Sequence, residues 1–127
     1  MRRTDQRRAA VVALYQAEVT DRPLDQLIEP TARTFTRELV EGTGRDREEI
    51  DALIERHSQG WPLSRIAPLE RSILRVALHE LLHRPDVPDE VAIDEAIEAA
   101  KELCGTDAPG FVNGVLGAAH RGRASAV

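Results

Sequence analysis

The sequence predicts an all-α fold, a compact bundle of about six or seven helices in one domain of 127 residues. Aromatic residues, which favour strands, make up only 3% of the chain, and no segment alternates apolar and polar residues as a strand does. Apolar residues instead recur at intervals of three and four, which gives a helix one apolar face. Prolines and glycines divide these stretches into short-linked segments without a repeat, and this organisation is typical of a helical bundle.

The N-terminal part of the chain predicts three or four helices. The first covers about 4–19, with Thr4 as its N-terminal cap, and a short second helix covers 24–28 between two prolines. Apolar residues then mark a helical stretch over 31–57, interrupted by Gly-Thr-Gly at 42–44. Because an interior glycine costs about 1 kcal/mol relative to alanine, this stretch is either two helices or one long bent helix.

The C-terminal part predicts three longer helices. Prolines bound the first of them, over 68–83, and Asp89 is expected to cap the second, which ends near Gly105. The last helix covers about 109–120, and the tail from residue 121 onward is expected to fray because it is rich in Gly, Ala and Ser.

Two polar or aromatic side chains receive structural interpretations. Trp61 is expected to be a core or hinge residue, because it stands with Pro62 between a helical half over 1–60 and another over 61–127. Asn113 is intrinsically unfavourable inside a helix, so we expect a buried hydrogen bond from its side chain to the backbone.

The charge is asymmetric along the chain. A net charge of −5 argues against a protein that binds nucleic acid over its whole surface, since such binding needs a dominant positive field. Both ends are nevertheless basic, while acidic residues concentrate over 38–55 and 86–107. This distribution predicts one local contact with an anion and a second contact with a basic protein partner.

Several classes of protein are excluded or disfavoured by simple features. The apolar runs are far shorter than the roughly 20 residues of a membrane-spanning helix, and no signal peptide is evident, so we expect a cytoplasmic protein with no membrane contact. The single cysteine, Cys104, permits no internal disulfide and no Cys-rich zinc site, and it is expected to be structural.

Successive blocks of the sequence resemble one known family. Segment 7–16 reads Arg-Arg-Ala-Ala-Val-Val-Ala-Leu-Tyr-Gln, and further blocks lie at 69–81, at 87–96 and at Ala100–Lys101. The last block, Phe-Val-Asn-Gly-Val-Leu, occupies 111–116. In order and spacing these blocks resemble the NusB family of bacterial transcription antitermination factors.

The resemblance implies a fold of two packed three-helix subdomains and a role in assembly rather than catalysis. It implies binding of the boxA sequence of nascent RNA, together with the ribosomal protein NusE, in the transcription elongation complex. It implies no cofactor and no enzymatic activity, and it is compatible with either a monomer or a homodimer.

The resemblance also implies an RNA-binding surface that includes the basic N-terminus. Arginine suits this role because its forked donors fit phosphate and its plane stacks on bases. Phe111 beside the 105–110 loop could be a stacking platform, with Lys101 and Asp107 flanking it. The alternative for the N-terminal arginines is a basic helix end that only makes the chain soluble. Tyr15 is a second ring that could stack on bases, and the alternative for both Phe111 and Tyr15 is an anchor in the core. The N-terminal residues predicted to bind RNA are Arg2, Arg3, Arg7 and Arg8.

The acidic body is where the resemblance implies contact with the basic ribosomal protein. Glu80, Asp94 and Glu95 are the predicted contacts, and opposite charge would mainly speed the encounter. The alternative for each of them is an ordinary solvated helix face.

Two further functions compete with this interpretation. His79-Glu80-Leu81-Leu82-His83 matches the H-E-x-x-H motif of zinc peptidases, in which both histidines bind the metal and the glutamate is the base. A third ligand would have to come from an acid such as Glu98 or Glu102, and short motifs arise easily by chance. Multidomain RNA methyltransferases also carry a NusB-like N-terminal domain, but this sequence stops after that domain and is not expected to hold a methyl donor.

Overall fold

The computed structural model describes residues 2–125, with side chains through residue 123, and within that range the chain is all-helical and contains no strand. This confirms the predicted fold class. Short 3-10 helices occupy Leu24–Gln26 and Leu63–Arg65. None of the described helices combines the length and the apolar character that crossing a bilayer requires. The six α-helices are α1 (Arg3–Thr20), α2 (Thr34–Arg45), α3 (Arg47–His57), α4 (Pro68–His83), α5 (Asp89–Leu103) and α6 (Ala108–Ser125).

Helix α4 is the centre of the bundle and contacts each of the other five helices. Its predicted bounds, Pro68 and His83, are confirmed: a proline suits the first turn, and Pro85 follows soon after the last. Every residue over 71–81 is buried, including four that are polar and ionisable. A helix that is buried on all sides while carrying charges must find partners for those charges on its neighbours.

The stretch over 31–57 forms two helices, and they separate at Asp46 rather than at the glycines. Gly42 remains inside α2 because the ring of His79 packs directly against it. A Cβ added at Gly42 would lie 2.2 Å from Cε1 of His79, so only glycine allows this approach of α2 to α4. The intrinsic cost of the glycine is therefore offset by a tertiary contact.

Three predicted helix ends differ in the structure. Helix α1 begins at Arg3, and Thr4 does not cap it but donates a hydrogen bond of 2.8 Å to Oε1 of Glu95. Asp89 is the first residue of α5 and makes no capping hydrogen bond. Helix α6 continues to Ser125, so the predicted frayed tail is helical as far as it is described, and positions 126–127 lie outside the described residues.

Two side chains expected inside the molecule are at its surface. Trp61 is 53% exposed, so it is not a core residue, and it lies in the segment between α3 and α4. Asn113 is exposed on α6, which corrects the expectation of a buried hydrogen bond. The predicted halves over 1–60 and 61–127 meet at this segment, and α4 contacts helices from both of them.

Candidate nucleic-acid interface

The first turns of α1 lie between two parts of the bundle. Residues four apart share one face of a helix, so positions 3 and 7 face one way and positions 4 and 8 another. The first face meets Phe35 of α2 and Glu80 of α4, and the second meets α5. The arginine cluster predicted as one RNA-binding patch is therefore divided between different environments.

Arg7 is buried and bound to Glu80. The Nε of Arg7 donates to both carboxylate oxygens of Glu80, at 2.9 and 3.0 Å, and Nη2 donates to Oε2 at 2.8 Å. The two side chains are only 7% and 1% exposed. This corrects the sequence-based assignment of Arg7 to RNA and of Glu80 to a protein partner, because each charge is occupied by the other and neither is open at the surface.

Arg3 is half exposed, at the edge of a small cluster of charged side chains around the ring of Phe35. Its guanidinium lies 4.2 Å from the centroid of Phe35, and Nη2 donates to Oδ2 of Asp86 at 3.1 Å. Arg84 approaches the same ring and binds both Asp86 and Glu38. The hydrogen bond from Arg84 is the main reason why the pKa of Asp86 is lowered. Arg3 is thus positioned but still reachable from solvent.

Arg8 and Arg2 differ sharply in how free they are. The Nε of Arg8 donates to Oε2 of Glu102 at 2.8 Å, and the carboxylate of Glu95 lies 3.9 Å from Nη1. Arg2 is 85% exposed in its side chain and has only a long contact of 3.9 Å with Asp5. Arg2 is therefore the most available of the four predicted arginines, and Arg8 would have to exchange Glu102 for a phosphate.

The other predicted RNA contacts lie where α5 ends and α6 begins. Lys101 is exposed on the last turn of α5 and pairs with Glu98 at 3.1 Å. Asp107 is exposed just before α6, and Phe111 in its first turn is partly buried against the core. Because Glu102 binds Arg8, this end of α5 adjoins the start of α1. These residues therefore lie at the end of α5 where Glu102 binds Arg8, while Phe111 has only part of its ring available for stacking.

The residues predicted to contact a protein partner also differ in exposure. Asp94 is exposed on α5, whereas Glu95 is partly buried by Thr4 and Arg8. Glu90 and Glu98 are exposed on the same face as Asp94, at helical steps of four. Sequence reasoning did not assign either acid to the partner surface, and it named Glu98 only as a possible zinc ligand, although their spacing was a visible signal.

The H-E-x-x-H segment does not form a peptidase arrangement. Glu80, which would be the catalytic base, is buried against Arg7 and accepts its hydrogen bonds. His79 packs against Gly42 instead of facing Glu80, and the two histidine ring centroids are 5.8 Å apart. Burial is the first reason why the pKa of His79 is lowered, and nearby Asp46 opposes that effect.

Comparisons with known proteins agree on one family. A model of the NusB family matches residues 4–121. The transcription antitermination protein NusB of Rubrobacter xylanophilus is 43% identical over 122 residues, which cover 91% of this chain and 88% of that protein. A structure of T. maritima NusB matches with a TM-score of 0.86 at 34% identity and covers 95% of this chain and 92% of that one.

A solved assembly also contains a similar chain. A crystal structure of the antitermination factors NusB and NusE in complex with double-stranded RNA matches with a TM-score of 0.82 at 25% identity. The match covers 96% of this chain and 99% of that one. Since the family match spans nearly the whole sequence and the relatives align over most of their own length, this chain belongs to the NusB family.

Proposed function

We propose that this chain is a cytoplasmic adaptor of transcription antitermination that binds boxA-type single-stranded RNA together with the ribosomal protein NusE. The observation that carries the proposal is the likeness of the whole fold to NusB in a solved complex with NusE and RNA. The chain acts by assembly in the elongation complex, since its one motif for hydrolysis has its glutamate bound to Arg7.

The RNA-binding part of the proposal rests on cations that are open to solvent. Arg2 and Arg3 at the start of α1 and Lys101 at the end of α5 are the predicted contacts whose charged groups remain reachable. Arg8 joins them when phosphate replaces Glu102, whose side chain is well exposed and can move away. Phe111 adds a partial stacking surface beside them.

The protein-binding part of the proposal rests on the exposed acidic face of α5. Asp94 lies on it between Glu90 and Glu98, and a basic ribosomal protein would be attracted to this row. Because α5 also contacts Arg8, RNA and NusE would bind on adjoining surfaces. Each ligand would then raise the effective concentration of the other, and the ternary complex would be tighter than either pair.

A salt titration of RNA affinity tests the electrostatic part. Four phosphates neutralised by Arg2, Arg3, Arg8 and Lys101 give a log–log slope of about −3, at about −0.7 per phosphate for single strands. The double variant Arg2→Gln with Arg3→Gln removes two of these contacts and is expected to make the slope shallower, at about −1.4. Labelled boxA RNA, a scrambled strand and a duplex are compared by fluorescence anisotropy at several salt concentrations.

The matched control is Arg65→Gln, which removes the same charge from an exposed position on the 3-10 helix before α4. That segment adjoins Arg71, which binds Glu18 near the far end of α1, about 23 Å of helix away from Arg3. The slope is expected to stay unchanged in the control. Equal losses in the two proteins, or no preference for boxA over the scrambled strand, would refute the proposed RNA site.

The partner surface is tested by reversing one charge. Asp94→Lys is expected to slow association with NusE while leaving the affinity for RNA alone unchanged. Glu41→Lys, at an exposed position on α2, is the control. If boxA RNA binds no more tightly with NusE present than without it, the adaptor mechanism fails.

A further inference from the structure

The junction between α2 and α3 meets the C-terminal end of α4 in a cluster of side chains that the proposed function does not use. Asp46 lies between the two helices, Glu49 is in the first turn of α3, and His83 ends α4. One ligand atom from each of these residues lies within 4.8 Å of the other two. Two segments distant in sequence, the one around the α2–α3 junction and the end of α4, thus bring two carboxylates and one imidazole together.

The distances in the cluster are close to those of a metal site. Ligand atoms bound tetrahedrally to Zn²⁺ at 2.0–2.2 Å are about 3.3–3.6 Å apart. Nε2 of His83 lies 3.5 Å from Oδ2 of Asp46 and 2.8 Å from Oε1 of Glu49. Glu49 is more than half exposed, so its carboxylate can move outward by the fraction of an ångström that an ion requires.

A buried histidine faces the same carboxylate without a hydrogen bond. His79 is only 3% exposed, and its Nδ1 has no hydrogen-bond partner. That atom lies 3.6 Å from Oδ2 of Asp46, which is too long for a hydrogen bond but close to the edge of a tetrahedral site. Arg45 makes only long contacts with both oxygens of Asp46, at 3.4 Å from Nε to Oδ1 and 3.5 Å from Nη2 to Oδ2. Both imidazoles are directed at Oδ2, which lies 3.6 Å from Nδ1 of His79 and 3.5 Å from Nε2 of His83.

We propose that Asp46, Glu49 and His83 bind one Zn²⁺ ion, with His79 as the fourth side chain directed at the site. A mixed set of imidazole and carboxylate ligands suits Zn²⁺, whereas Mg²⁺ and Ca²⁺ prefer oxygen ligands alone. The ion would connect the α2–α3 junction to the end of α4. Its role is structural, because the glutamate of the H-E-x-x-H segment is bound to Arg7.

Calorimetric titration of the full chain, without a histidine tag, tests the proposal with zinc chloride as the probe. We expect one ion per chain, and we expect an excess of magnesium chloride not to compete. His83→Gln and Glu49→Gln are each expected to weaken zinc binding more than about tenfold, since each removes a direct ligand. Both residues are partly or well exposed, so the variants should keep the fold, and circular dichroism checks this. Cobalt chloride provides a second readout, because a tetrahedral site with nitrogen ligands gives visible absorption bands.

The matched control is His120→Gln. His120 also faces a carboxylate, with its Nδ1 3.2 Å from Oδ2 of Asp89, and it is exposed to about the same extent as His83. Among the described residues, however, its surroundings form no group of three ligands. Zinc affinity retained in this control but lost in His83→Gln supports the site. Zinc binding that survives His83→Gln or Glu49→Gln, falls equally in His120→Gln, or is absent from the unmodified chain overturns it.

Discussion

The buried pair of Arg7 and Glu80 gives the sharpest prediction about this molecule. The side chain of Glu80 is 1% exposed, and its carboxylate accepts three hydrogen bonds from the guanidinium of Arg7 at 2.8–3.0 Å. The perturbation is to replace each residue by methionine, singly and then together. Methionine keeps much of the side-chain length and removes the charge, so each single variant leaves one charged group without its partner.

The expected magnitudes follow from that isolation. Breaking a buried pair by removing one partner costs about 3–5 kcal/mol, because the remaining charge stays in an apolar environment. At about 3–4 °C per kcal/mol for a chain of this size, each single variant should melt about 10–20 °C lower. In the double variant no buried charge remains, so it should be more stable than either single variant although it carries more substitutions.

Urea unfolding followed by circular dichroism measures these free energies, and the four proteins form a double-mutant cycle. The exposed pair of Lys101 and Glu98, at a similar distance of 3.1 Å, provides the comparison and should couple by less than about 1 kcal/mol. If Arg7→Met and Glu80→Met each cost under about 1 kcal/mol, or if their effects simply add, the buried pair does not bind as the structure shows it.

Three further predictions concern packing and titration. Gly42→Ala is expected to lower the melting temperature, because the added Cβ would lie 2.2 Å from Cε1 of His79. Gly114→Ala should raise the melting temperature, because alanine favours α6 and the added Cβ would meet no atom within 4 Å outside the nearby backbone of its own helix. Thermal unfolding compares the two variants. Burial raises the pKa of the Cys104 thiol, so at neutral pH it should react with a thiol reagent more slowly than glutathione does, until urea unfolds the chain; equal rates in the folded chain would contradict this. Burial also lowers the pKa of His57, which favours its neutral form in the folded state. That contribution to stability is full above an unfolded pKa of about 6.5 and is lost as the pH falls below it. Between about pH 7 and about pH 5, His57→Gln should therefore lose less stability than the unmodified chain. Urea unfolding midpoints at the two pH values measure this loss.

The helices could be predicted from sequence wherever their ends depend on local chemistry. Helix α4 begins and ends as predicted because prolines limit both sides, and proline acts through its own ring and its missing donor. The break between α2 and α3 could not be located in this way. The glycine at 42 looks unfavourable by itself, and only the approach of His79 from α4 explains why it lies within a helix.

The candidate interface was predictable in its general position but not in its details. Positive charge at the N-terminus is visible in the sequence, and Arg2 and Arg3 remain open to solvent. The burial of Arg7 had a visible signal, since helical periodicity places it on the same face as the buried Ala10 and Val11. Its partner, Glu80, had none, because pairing across the fold depends on how α1 crosses α4.

The charges carried by α4 bear on how the chain is made. Their partners come from earlier helices: Arg75 binds Glu18 of α1 and Asp51 of α3, while Glu80 binds Arg7 of α1. Burial acts to lower the pKa of Arg75, yet the two carboxylates outweigh it and raise that pKa. During synthesis from the N-terminus, each of these partners leaves the ribosome before α4 does. The central helix can therefore neutralise its charges as it emerges, and α5 and α6 then cover its remaining apolar sides.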